Sequence, residues 1–120
     1  MYDRCLEEIQ IVDGRYEVRF PFKEDSPFIE DNYKLALARL TRLKTNLMKD
    51  PMMFQQYDDI IQNYLKLGIL EKACNEPEVG KITYLPHRCV VRDNKKTSKM
   101  RIVFDASAKN KGPSLNDCLH

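Results

Sequence analysis

The sequence lacks any long apolar run. No window approaches the roughly 18 apolar residues that a membrane-spanning helix requires. The first eight residues have no apolar core of a signal peptide, and the four cysteines form no Cys-x-x-Cys pair. These absences argue against a membrane protein and against a disulfide-rich secreted domain. They predict an intracellular protein, cytoplasmic or nuclear, with reduced thiols.

The composition that remains is that of a soluble globular chain with a small core. Of the 120 residues, 42% are hydrophobic and 32% are charged, so a single domain is expected. The net charge of +2 conceals an asymmetry, since residues 1–80 carry 11 basic and 15 acidic side chains, whereas residues 81–120 carry 9 basic and 3 acidic ones. A net charge of +6 on the last third favours an anionic partner there, although a solvated charged surface would look the same.

Residues 9–22 are predicted to be extended. The turn dipeptide Asp13-Gly14 follows a short apolar stretch, and apolar side chains then alternate on one face. These side chains are Tyr16, Val18, Phe20 and Phe22. Pro21 restricts the strand to a sheet edge or to a strand end.

Residues 31–70 are predicted to form a helical hairpin. Asp31 or Asn32 would cap the first helix, and Asp50-Pro51 would start the second, which Gly68 would close in a left-handed conformation. Apolar residues recur at spacings of three and four in both helices. The two stripes are Ala36, Leu40, Leu43 and Leu47, and then Phe54, Tyr57, Ile61, Tyr64 and Leu65.

Residues 81–105 are predicted to form a basic β-hairpin. Two apolar strands, Tyr84–Val91 and Met100–Asp105, flank a lysine-rich tip over Asp93–Lys99, with Arg101 at the root of the returning strand. Guanidinium groups bind phosphate oxygens in two-pronged fashion, and lysine supplies a mobile point charge. Lysines at such a tip also serve solubility, because edge strands use them to resist aggregation. The order of strand, two helices and hairpin predicts an α+β fold.

Two further motifs are better explained as structural. Tyr57-Asp58-Asp59 is similar to the metal-binding turn of polymerases, but it lies inside a helical pattern, where adjacent carboxylates diverge. His87 and Cys89 share one face of a strand, yet no second pair lies at zinc-ligand spacing.

The sequence resembles the reverse transcriptase of Pao/BEL-type retrotransposons from about residue 9 to the end. The resemblance is carried by an ordered series of segments rather than by one motif. The segments are Asp13–Val18, Asn32, Ala38–Leu40, Tyr64–Leu70, Tyr84–His87, Arg101–Ala108 and Ser114–Asp117. Where the retroviral pattern has an aromatic residue and an arginine after the aspartate, this chain has Ala106 and Ser107.

The resemblance implies that residues 1–120 are a single incomplete domain, the fingers segment of an RNA-directed DNA polymerase. It implies that Arg101 contacts the triphosphate of the incoming nucleotide, assisted by Lys95, Lys96 and Lys99. It also implies template-side contacts near the end of the returning strand and a connection to the palm over residues 106–120. The template-side candidates are Phe104, Asp105 and Ser107.

No aspartate of this chain matches the palm carboxylates of that family. The resemblance therefore predicts a chain that is not catalytic alone and binds no cofactor itself, with Mg²⁺ required by the complete polymerase. The implied partners are a nucleotide, a template-primer and the other domains of the polyprotein, with no membrane. The alternatives are a non-catalytic nucleic-acid-binding module that uses the same hairpin, and an interaction module that uses the helical stripes.

Overall fold

A computed structural model describes residues 9–25, 29, 31–73, 82–94 and 97–120. Its elements in chain order are two short strands, two helices, two longer strands and a 3-10 helix. Their bounds are β1 Gln10–Val12, β2 Arg15–Glu17, α1 Tyr33–Leu47, α2 Pro51–Lys66, β3 His87–Asn94, β4 Thr97–Phe104 and the 3-10 helix Asn116–Cys118. The predicted α+β class is confirmed at this level: two helices and two antiparallel hairpins.

The first hairpin forms where the Asp13-Gly14 dipeptide predicts a turn. Strands β1 and β2 pair antiparallel with Val12 opposite Arg15, so the loop has two residues. Both loop residues have positive φ, 50° at Asp13 and 76° at Gly14, as the turn favoured in two-residue hairpins requires. The regular strand ends at Glu17, earlier than the alternation predicts.

The chain after β2 returns to the C-terminus. Phe22 forms an isolated antiparallel bridge with Leu119, and the backbone N–H of Lys23 donates to the carbonyl of Cys118 at 2.9 Å. The N–H of His120 donates to the carbonyl of Pro21 at 3.0 Å. The predicted strand does not extend to Pro21, which lies in the irregular segment after Glu17.

Helix α1 begins after Asn32, but the Asn32 side chain does not cap it. Asn32 is 7% exposed, and its Nδ2 donates to the carbonyl of Tyr84 at 2.7 Å, while its Oδ1 accepts the Tyr84 N–H at 2.7 Å. The Oδ1 of Asp31 instead accepts the N–H of Tyr33, the first residue of the helix, at 2.8 Å. Asn32 therefore acts as a tie between the start of α1 and the segment that leads into β3.

Helix α2 has the ends that the sequence predicts. The Oδ1 of Asp50 accepts the N–H groups of Met52 and Met53 at 3.1 and 3.2 Å, and Pro51 occupies the first turn. Gly68 follows the helix with φ of 68°. Three residues separate the end of α1 from the start of α2, so the two helices are joined by a short connection, as predicted.

The predicted helical stripes are buried only in part. Leu47 and Tyr57 are 5% and 6% exposed, whereas Leu40 and Phe54 are 48% and 41% exposed. A stripe is buried only as far as another element covers it, and sequence periodicity does not report the cover. The large side chains of the first hairpin are exposed as well, with Tyr16 at 78%.

The strands of the β3–β4 hairpin differ from the prediction: β3 begins at His87 rather than at Tyr84 and reaches Asn94, and β4 begins at Thr97 rather than at Met100. The ladder runs from His87 opposite Phe104 to Asn94 opposite Thr97, so the predicted tip is wrong for residues 93, 94 and 97–99, which lie in the strands. Every added residue pair satisfies further backbone groups, and an antiparallel ladder extends as far as a short turn allows. Lys95 and Lys96 lie outside the described residues.

Buried apolar side chains are few in the part of the chain that is described. They are Ile29, Leu47, Tyr57, Pro86 and Cys118. Among the same residues, no helix combines the length and apolarity needed to cross a bilayer.

We predict that Asn32→Ala lowers the free energy of unfolding by about 2–3 kcal/mol, because it leaves the backbone N–H and carbonyl of Tyr84 without their partner. Urea unfolding followed by far-UV circular dichroism measures the change. Asn63→Ala, at an exposed position of α2, is the matched control. Equal effects of the two substitutions would refute the role assigned to Asn32.

Candidate phosphate-binding face

The register of β3 and β4 determines which side chains share a face of the hairpin. Directly opposed residues of an antiparallel pair point to the same side, and residues two apart along a strand do so too. His87 opposes Phe104 and Cys89 opposes Ile102, and these define an inner face. Val90 opposes Arg101, which defines the outer face.

Four basic side chains lie on the outer face, and we call them the cationic face: Arg88, Arg92, Lys99 and Arg101. All four are exposed. Arg92 lies directly opposite Lys99, an arrangement in which like charges repel. Within the described residues, none of the four forms an ion pair. The face therefore presents uncompensated positive charge.

The two described members of the predicted phosphate site lie within a strand. Arg101 is the fifth of the eight residues of β4, so its predicted place at the strand root is wrong, and Lys99 lies two positions before it. Sequence reasoning missed Arg88 and Arg92. The alternation of Arg88, Val90 and Arg92 could have indicated that the two arginines share a face. This interpretation requires that β3 extend past Val91, which the structure shows.

A groove of about 580 Å³ runs between α2 and β4 beside the cationic face. Arg101 and Lys99 contribute to its β4 side, and Asp59, Asn63 and Tyr64 contribute to its α2 side. Its volume lies in the range of sites that hold nucleotide-sized ligands. Two of the four cations thus lie where a ligand can be held between a helix and a strand.

The inner face is fixed to α2 by one polar contact. The Tyr57 hydroxyl and Nδ1 of His87 form a hydrogen bond, and the two rings stack with centroids 5.8 Å apart. Burial lowers the pKa of His87, and burial with the nearby Cys89 raises the pKa of Tyr57 to about 12. Both groups are therefore neutral at pH 7.

The predicted template-side residues separate into two groups. Phe104 packs its ring on His87, with centroids 5.9 Å apart, and belongs to the inner face. Asp105 and Ser107 bind each other, since Oδ1 of Asp105 accepts from the Ser107 hydroxyl at 2.5 Å and from its N–H at 3.1 Å.

The second carboxylate oxygen of Asp105 is also engaged. Its Oδ2 lies 2.5 Å from Nη1 of Arg39 on α1. The Ser107 hydroxyl, and then the Arg39 guanidinium, lower the pKa of Asp105. Asp105 thus links α1 to the end of β4.

The described residues contain no group of three His, Cys, Asp or Glu side chains placed to hold a metal ion. Asp58 and Asp59 are exposed on α2, where they accept from Gln62 at 3.4 Å and from Gln55 at 2.8 Å.

Comparison of the chain with protein-family models, with curated proteins and with solved structures gives no match in any of the three.

We predict that stability falls as the pH drops below about 6.5, the ordinary pKa of histidine. The lowered pKa of His87 means that the unfolded chain binds a proton more readily than the folded one, so stability is present above pH 6.5 and is lost as pH falls through the folded-state value. Urea midpoints measured from pH 8 to pH 5 report the loss.

His87→Gln removes this pH dependence. His120→Gln is the control, because His120 is the other histidine of the chain and is exposed. A midpoint that falls as steeply in His87→Gln as in the unaltered chain would contradict the assignment.

Proposed function

We propose that this chain is the fingers region of an RNA-directed DNA polymerase and that its cationic face helps to bind the incoming nucleotide and the template. The reaction to which it contributes is nucleotidyl transfer. The acidic groups that would bind Mg²⁺ belong to the palm of such an enzyme, so this chain supplies binding and orientation rather than the metal centre.

The ordered resemblance to Pao/BEL-type reverse transcriptases supports the proposal. The segments that carry it span most of the described fold, from the Asp13-Gly14 turn to the Ser114–Asp117 segment. The order of helices and hairpin is compatible with the fingers of that family. Gly68 ends α2 with positive φ where the family has a Gly-Ile sequence, and Ile69 follows here.

The observation that carries the proposal is the position of Arg101. Its side chain is exposed on the cationic face, it has no ion-pair partner within the described residues, and it lines the groove beside β4. Lys99 is its neighbour on the same face and lines the same groove. A guanidinium and an ammonium group side by side form a binding site for a triphosphate.

The geometry accounts for how such a face promotes transfer. A triphosphate bound across Arg101 and Lys99 is partly neutralised, and charges fixed on a strand need no reorganisation during reaction. Holding the nucleotide in one orientation also converts an encounter of two molecules into a reaction within one complex. The ladder from His87 to Phe104 keeps these side chains in place.

We predict that Arg101→Ala weakens binding of a deoxynucleoside triphosphate by about tenfold or more, from the ~1.5–3 kcal/mol of a hydrogen bond to a charged group. Nuclear magnetic resonance titration of the chain detects weak binding through shifts of amide signals in β3 and β4. Arg19→Ala, which removes an exposed arginine outside the hairpin, is the control. Unaltered triphosphate binding in Arg101→Ala would refute the proposed function, as would an equal loss in both variants.

A further inference from the structure

A second groove, on the other side of the hairpin, lies between α1 and β3. Its volume is about 350 Å³. Helix α1 contributes Arg39 and Arg42, and the chain at the start of β3 contributes Pro86 and Arg88. The groove is separate from the one beside β4, but Arg88 belongs both to it and to the cationic face.

The charge in this groove is uneven in a way that favours an anion. Arg39, Arg42 and Arg88 supply three guanidinium groups, and Asp105 supplies one carboxylate. That carboxylate is fully engaged, with Oδ2 on Arg39 and Oδ1 on Ser107. Arg42 and Arg88 have no ion-pair partner within the described residues. Two cationic groups therefore remain on opposite walls of one groove.

The rest of the lining consists of the exposed amide side chain of Asn46 and of an apolar part that is partly covered. Pro86 is buried, and Leu43 and the ring of His87 are half-buried. The His87 ring is uncharged at neutral pH, because burial lowers its pKa. The combination of apolar side chains with two guanidinium groups is suited to a ligand that has both a planar ring and a phosphate.

We propose that this groove holds one nucleotide of a single-stranded nucleic acid, with its phosphate between Arg42 and Arg88 and its base against Leu43, Pro86 and His87. A duplex keeps its base faces inside the stack, so it cannot place a base on this wall. Because Arg88 adjoins the cationic face, the phosphates of the same strand continue toward Arg101. The choice of a nucleic acid as the partner rests on the proposed function, whereas the location of the site rests on the groove itself.

Arg42→Gln tests the groove. The probe is a fluorescein-labelled oligothymidylate of about twelve nucleotides, bound to the full chain and followed by fluorescence anisotropy at several KCl concentrations. Loss of one phosphate contact predicts affinity about tenfold lower at low salt, and a plot of log affinity against log salt that is shallower by about 0.7. Arg42 is exposed, and far-UV circular dichroism verifies that the variant is folded.

Two further variants distinguish binding at this groove from nonspecific attraction of the oligonucleotide to positive charge. Lys44→Gln removes one exposed positive charge from the same helix and is expected to leave affinity and slope nearly unchanged. Arg42→Lys keeps the charge and is expected to restore the slope but not the full affinity, because lysine cannot bind phosphate in two-pronged fashion. Equal losses in Lys44→Gln and Arg42→Gln would overturn the proposal, as would equal losses of Arg42→Gln for single-stranded and duplex probes.

Titration with thymidine triphosphate distinguishes this proposal from the proposed function. If Arg101→Ala weakens triphosphate binding but Arg42→Gln leaves oligothymidylate binding intact, the groove proposal fails and the function stands. If Arg42→Gln weakens oligothymidylate binding and Arg101→Ala leaves triphosphate binding intact, the groove stands and the nucleotide site fails. In the unaltered chain, oligothymidylate is expected to shift the side-chain Nε–Hε signals of Arg42 and Arg88, and unshifted signals would contradict the site.

Discussion

The antiparallel register of β3 and β4 is the constraint on which the candidate sites depend. A shift of one residue in one strand would exchange the faces of all its side chains. In the observed register, His87 and Cys89 face Tyr57 on α2, and the basic residues of the same two strands fall together on the opposite side. The bond between Tyr57 and His87 identifies the inner face, and the cationic face is its necessary counterpart.

Besides the bond between Tyr57 and His87, two polar contacts hold the hairpin and its flanking segments against the helices. Both are made by residues that a sequence pattern would assign elsewhere. Asn32 has the sequence position of a helix cap but binds the backbone of Tyr84. Asp105 has the position of a template contact but binds Arg39 and Ser107. Buried or half-buried polar groups are stable only when paired, so each of these side chains is used for structure.

Local signals in the sequence predicted much of the fold. The Asp13-Gly14 turn, the Asp50 cap and the left-handed Gly68 all occur as expected, because each depends on neighbouring residues alone. The burial of the helical stripes was predicted less well, since Leu40 is exposed and Leu47 is not. Which part of a stripe is covered depends on distant elements, which periodicity does not reveal.

The candidate site was predicted in part. Arg101 and Lys99 were identified from their charge and from the resemblance, but their places within β4 and the contribution of Arg88 and Arg92 required the register. Strand bounds decide which residues oppose each other, and a lysine-rich stretch gives little indication of where a ladder ends. The groove formed by α1 and β3 was not predicted, because it joins Arg42 to Arg88 across 46 positions of sequence.

The central claim is that the cationic face is built to bind a chain of phosphates. Arg92 and Lys99 repel each other in the free protein, so an anion that bridges them should stabilise the fold. The most direct measurement is the Tm of the unaltered chain in inorganic tripolyphosphate and in sodium chloride at equal ionic strength. The account predicts a Tm that rises with tripolyphosphate beyond the effect of sodium chloride. Identical melting in the two salts would contradict it.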